Sequence, residues 1–164
     1  MTDLRVLYEQ LNFKDVITYI QSGNVIFKTE TNASSQDLAK KIEKSISEKF
    51  NLNVPVIIRT VKEIESLILS NPFLADRSIN IEKLHVTFLK ETPKKFGLEK
   101  IQNFNYPPDK FIIKGENVFL NCPVNYGRTK LSNKFFEDNL GVSATTRNWK
   151  TVRKLFEMAN DIQE

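Results

Sequence analysis

Apolar positions along the chain change period several times, and each change marks an element. Short apolar runs over residues 17–28 and again over 110–114 and 117–121 meet at glycine-bearing turns, which predicts two hairpins. Residues 84–90 alternate as a strand, and the short runs at 54–59 and 142–147 predict two more. Helical patterns cover residues 3–11, 35–50, 61–70, 93–104, 129–140 and 149–161. Boundary residues support several of these. Thr60 and Glu63 form a capping box, Gly141 stops one helix, Asn148 caps the last, and Pro93 sits in a first turn.

The chain also repeats itself. Residues 51–68 align without gaps on residues 139–156, with six identities in 18 positions. Val61, Ile64, Leu67 and Ile68 recur as Trp149, Val152, Leu155 and Phe156, one face of a helix. Upstream, Ile20 to Phe27 resembles Ile113 to Leu120 at an offset of 93 rather than 88. The second copy reads β-α-β-β-α-β plus a helix, the split βαβ or ferredoxin-like order. The first copy has no opening strand, and the offset would put one before Met1. The expected fold class is therefore α+β, an internal duplication of two ferredoxin-like halves, the first short of its leading strand. Residues 1–70 form the first half, 71–83 the connection and 84–164 the second half.

Composition changes this picture little. With 164 residues, 40% hydrophobic and 27% charged, the chain can bury a core without disulfides or metal. A lone cysteine, Cys122, agrees with a reducing compartment, and the first ten residues lack the apolar run of a secretion signal. No apolar stretch is long enough for a membrane span. These features predict a cytoplasmic protein with no membrane partner.

Chemical signatures are mostly absent. Five glycines, at 23, 97, 115, 127 and 141, are too scattered for a phosphate loop or a dinucleotide fingerprint. One His and one Cys make no local metal signature, so neither metal nor cofactor is predicted. His85 and Cys122 could meet as a nucleophilic pair, but Cys122 reads more simply as a small buried hydrophobe at a strand end. A helix-turn-helix over 130–154 conflicts with the repeat, whose first copy is strand-like at 54–59. An RNA-recognition sheet lacks its glycine and aromatic pattern, so most of the 12 Phe and 4 Tyr are assigned to core.

Charge is more telling in its distribution. Residues 1–83 carry 11 basic and 11 acidic groups, whereas residues 84–164 carry 13 and 9, so the whole formal excess of +4 lies in the second half. Tyr126-Gly127-Arg128-Thr129-Lys130 precedes a predicted helix, whose free N–H groups favour an anion. Arg147 falls at a strand-to-helix junction and Lys150 on the exposed side of the following helix. Tyr126, Arg128, Lys130, Arg147 and Lys150 are thus the candidate anion-binding residues. Against this, surface charge runs are common, and Arg128 and Arg147 could simply pair with Glu137 or Asp138. Arg59, the repeat partner of Arg147, sits in the neutral half, which favours a structural task for both.

Segments 19–27, 71–73, 84–89, 126–133 and 144–152, in that order, resemble the signature segments of the bacterial domain of unknown function family 1697. The resemblance covers nearly the whole chain. It implies a cytoplasmic bacterial protein of two related α+β halves and no known activity. It also implies an opening strand followed by a glycine-rich R-G-I-N-V-G-G turn, neither of which this sequence contains.

The function expected is a small binding protein whose second half presents a weakly basic surface to an anionic ligand or nucleic acid. Two other classes stay open. One is an enzyme with a site between the halves, around Tyr126, Arg128, Asn148 and His85. The other is a structural protein that self-associates through an unpaired sheet edge.

Overall fold

The computed structural model describes residues 1–162. Its helices and strands run α1 (Thr2–Gln10), β1 (Lys14–Tyr19), β2 (Asn24–Lys28), α2 (Ser35–Phe50), α3 (Val61–Leu69), β3 (Leu84–Leu89), α4 (Lys95–Ile101), β4 (Lys110–Lys114), β5 (Asn117–Asn121), α5 (Asn133–Leu140), β6 (Ala144–Asn148) and α6 (Trp149–Asp161). The fold is mixed α+β with two sheets. Two compact units emerge: unit 1 is Met1–Glu63 together with the chain from Lys154 onward, and unit 2 is Ile64–Arg153. No helix among the described residues is long and apolar enough to cross a membrane.

In unit 1, β1 and β2 pair antiparallel, with Ile17 opposite Ile26 and Thr18 opposite Val25. Leu7 and Tyr8 from α1 and Leu38, Ile42 and Ile46 from α2 close over this hairpin with Phe13 and Val16. The three α2 positions fall four apart, so one stripe of the helix is apolar. Ser34 caps α2 by accepting the Asp37 N–H at 3.1 Å, and Asn51 ends it in the left-handed conformation.

Unit 2 holds four antiparallel strands in the order β4-β5-β3-β6. Helices α4 and α5 cover one face, where Leu89, Val118, Leu120 and Ala144 meet Ile101, Phe136 and Leu140. The two helices approach closely at Gly97, where a Cβ would stand 3.1 Å from the Asn139 carbonyl oxygen and from the Leu140 Cα. Phe104, Tyr106, Phe111 and Phe135 pack against this core and against Phe136 within it, mostly edge to face. The predicted elements of this half all form, with shorter ends for the helices expected at 93–104 and 129–140.

One expected element does not form. Residues 54–59 carry no strand, although Val56 and Ile58 still pack against the unit 1 core. In unit 2 the corresponding segment, β6, bonds to β3. Among the described residues of unit 1 no strand stands where β3 stands, so 54–59 has no ladder to join. A backbone group without a ladder must find another partner. The Val56 N–H finds the Glu43 carboxylate, at 2.7 Å.

Candidate anion-binding site

The segment after β5 is fastened by its own short polar side chains. Asn125 accepts the Gly127 N–H at 2.8 Å, which starts a 3-10 turn over Tyr126–Arg128. The Thr129 hydroxyl donates to the Asp109 carboxylate and accepts the Leu131 N–H at 3.1 Å. Leu131 is fully buried and anchors the segment to the core. Held in this way, Arg128 and Lys130 stay exposed and line one open cleft of about 320 Å³ with Asn105, Tyr106, Pro107 and Asp109. The Lys130 Nζ stands 5.2 Å from the centre of the Tyr106 ring, within cation–π range. Asp109 brings a negative charge to the same cleft, but one of its oxygens is engaged by Thr129.

The helix dipole does not serve this cleft. Helix α5 begins at Asn133, four residues beyond the expected start, because Ser132 supplies the cap by accepting the Phe135 N–H at 3.2 Å. Attraction for an anion at Arg128 and Lys130 therefore rests on side chains rather than on free helix N–H groups.

Tyr126 lies half-buried, its ring stacked on that of His85 with centroids 4.3 Å apart and planes 18° from parallel. Burial raises the Tyr126 phenol above its usual range, with a Thr146 hydrogen bond opposing the shift. Burial also lowers the His85 imidazole, which favours its neutral form. Cys122 is buried, and that burial pushes its thiol up to about 11. A thiol so raised holds almost no thiolate near neutral pH, the opposite of an activated nucleophile. No cluster of His, Cys, Asp and Glu suited to a metal ion occurs among the described residues.

Arg147 does not join the cleft. His85 and Thr87 share the helix-covered face with their register partners Asn148 and Thr146, whereas Arg147 stands opposite Val86 and projects from the other face. Its Nη1 donates to the Thr145 hydroxyl and to the Thr146 carbonyl, both at 2.8 Å, and burial lowers its pKa. The carboxylates expected near Arg128 and Arg147 have other tasks: Glu137 accepts the Ala144 N–H at 2.9 Å, and Asp138 pairs with Lys134 at 2.9 Å. Lys150 is exposed in the first turn of α6, and Asn148 caps that helix by accepting the Thr151 N–H at 2.7 Å.

Sequence reasoning missed Asn105, Tyr106 and Asp109. They sit some 20 residues before Arg128 in a turn-rich stretch, Asn-Tyr-Pro-Pro-Asp, whose only signal was the turn itself. A larger open hollow, about 490 Å³, lies on unit 1 beside Arg5, Glu9, Asp15, Val16, Ile17 and Ile162. Its charges are spent on partners, Arg5 with Glu9 and Asp15 with Lys28, each at 2.9 Å.

The profile of a family described as protein of unknown function, DUF1697, matches residues 1–119. The chain belongs to the DUF1697 family. Among solved structures it is similar to a conserved bacterial protein from Streptococcus pneumoniae, with a TM-score of 0.69 at 18% identity, over 97% of this chain and 88% of that one. At that identity the likeness concerns the fold alone. A search of curated proteins finds no match. For this DUF1697 chain, any function must therefore be argued from its own site.

Proposed function

We propose that this protein is a small cytoplasmic binding protein whose unit 2 contacts phosphate-bearing ligands or nucleic acid through Arg128 and Lys130. The observation that carries the proposal is the convergence of these two exposed cations on one cleft with the Tyr106 ring. Cations supply sequence-independent attraction to phosphates, and an aromatic beside them offers a face on which a base can stack. Tyr126 begins the turn and stacks on His85, and it lies outside the cleft together with Arg147 and Lys150.

The same proposal includes an origin by duplication. Three matched pairs of hydrogen bonds support it. Arg59 and Arg147 each bond the preceding carbonyl, Thr60 and Asn148 each cap a following helix through the third residue on, and Val56 and Ala144 each give an N–H to a helix glutamate. All three pairs fall at the offset of 88 in the aligned segment. On this view unit 1 is a ferredoxin-like half whose described residues hold the β1–β2 hairpin, and the excess charge arose in the second copy.

The test is binding of labelled single-stranded oligonucleotide, read by anisotropy across a salt series. Two phosphate contacts give a slope of log affinity against log salt of about −1.4. Arg128→Ala combined with Lys130→Ala should remove that slope and most of the affinity. Retention of both in the double variant overturns the proposal.

A further inference from the structure

The cleft beside Arg128 and Lys130 contains a group that a plain phosphate site would exclude. Asp109 lines it together with them, and a carboxylate repels phosphate as strongly as a cation at the same distance attracts it. Two ties fix its place. The Asp109 N–H donates to the Tyr106 carbonyl at 2.9 Å, closing the turn that also carries the Tyr106 ring. Its Oδ2 accepts the hydroxyl of Thr129, the residue between Arg128 and Lys130. Carboxylate, ring and the segment bearing both cations are thereby held in one frame. Thr129 takes one of roughly four lone-pair sites on the carboxylate, so both oxygens can still accept. Among the described residues Asp109 forms no ion pair, and its Oδ1 receives no hydrogen bond.

A ligand that suits all of these groups carries a phosphate at one end, hydrogen-bond donors at the other and a flat ring between them. Nucleotides have this form. We infer that the cleft takes a guanine nucleotide and that Asp109 selects the base, which rests on Arg128 and Lys130 holding the phosphate as proposed above. An ionised carboxylate accepts hydrogen bonds and cannot donate. Among the common bases only guanine sets two donors side by side on one edge, N1–H and the N2 amino group, matching the two carboxylate oxygens. Adenine and cytosine place a ring-nitrogen acceptor beside their amino group, and thymine and uracil flank one N–H with two carbonyls. Each therefore turns an acceptor toward Asp109, and an acceptor set against an acceptor costs affinity. The Asn105 amide can donate or accept, so it does not choose between bases. Lys130 is exposed, and its contact with the Tyr106 ring is of the weak, solvated kind. It can turn to the phosphate and leave the ring to the base, whose stacking is stronger. A volume of about 320 Å³ stands at the small end of ligand sites, so the unit held is one nucleotide.

The probes are labelled thymidine strands of about ten nucleotides, within the span of one binding module, carrying a central guanine, adenine, cytosine, hypoxanthine or thymine. Anisotropy with the full chain should show the guanine strand binding about tenfold tighter than the others, within what one bidentate base contact gives. Asp109→Asn keeps an oxygen for Thr129 and turns the other acceptor into a donor. It should bring the ratio of guanine to thymine affinity near one and leave the salt slope in place. Hypoxanthine lacks the N2 amino group and should lose most of the preference in the unaltered protein, a test that does not depend on the folding of any variant. Free GMP should displace the guanine strand, and UMP should not. Displacement at concentrations like the strand's own marks the free nucleotide as the source, and a need for about tenfold more marks the strand. Equal binding of guanine and thymine strands, hypoxanthine matching guanine, UMP matching GMP, or a preference that survives Asp109→Asn overturns the inference and leaves the cation site standing. Absence of salt-dependent binding by every strand removes the cation site, and the base selection with it.

Discussion

Arg59 and Arg147 stand 88 residues apart and make the same contact. Each Nη1 donates to the carbonyl oxygen of the residue before it, Ile58 at 3.0 Å and Thr146 at 2.8 Å. Arg147 adds the Thr145 hydroxyl at 2.8 Å and projects from the sheet face opposite His85. Its work is therefore structural. Arg147→Ala should lower stability by about 1–3 kcal/mol, the range for a lost hydrogen bond to a charged, half-buried group. Urea unfolding measures this, and phosphate or oligonucleotide affinity should stay unchanged.

The matching caps predict matching losses. Asn148 accepts the Thr151 N–H at 2.7 Å, and Thr60 accepts the Glu63 N–H at 3.3 Å while the Glu63 carboxylate returns a bond to the Thr60 N–H. Asn148→Ala and Thr60→Ala should each cost about 1 kcal/mol. Thermal melting of the two variants reads the effect.

Gly97 predicts a penalty where helix propensity alone predicts a gain. Alanine is better than glycine in a helix interior by about 1 kcal/mol. Here the added Cβ would meet backbone atoms of α5 at 3.1 Å, and backbone cannot swing aside as a side-chain tip can. Gly97→Ala should therefore destabilise by about 1–2 kcal/mol, in the range of overpacked cores. A lower melting temperature confirms it; a higher one shows that α4 and α5 can separate freely.

The buried groups of unit 2 set the pH dependence. Folding lowers the His85 pKa, so below about pH 6.5 the unfolded chain binds the extra proton and stability falls as pH drops. Folding raises the Cys122 thiol from 9.0 to about 11, so between those values the folded chain holds the extra proton and stability falls as pH rises. His85→Asn should flatten the acid limb of a stability–pH curve. Iodoacetamide at pH 8 should leave Cys122 unmodified until denaturant is added.

Much of the fold was legible because helices and hairpins are specified locally. Ser35–Phe50 and Trp149–Asp161 form over the expected residues, and the β4–β5 hairpin closes where its glycine predicts. The helix expected at 129–140 starts late because Thr129 turns toward Asp109 and leaves capping to Ser132. Within the candidate site, the sequence marked Arg128 and Lys130 by charge. It could not separate them from Arg147, because the face on which a strand residue points depends on register with a neighbour 60 residues away.

By itself, then, the sequence determined an α+β chain, a short internal sequence repeat, its helix caps and the place of its excess charge. Tertiary structure decided which cations share a cleft, since Tyr106 and Asp109 reach Arg128 and Lys130 only through the packing of a distant loop. It also decided that residues 54–59 remain outside any sheet despite a strand-like sequence. The physical reason is common to both. A strand or a site is completed by groups remote in sequence, and local propensity says what a segment can become but not whether its partner is there.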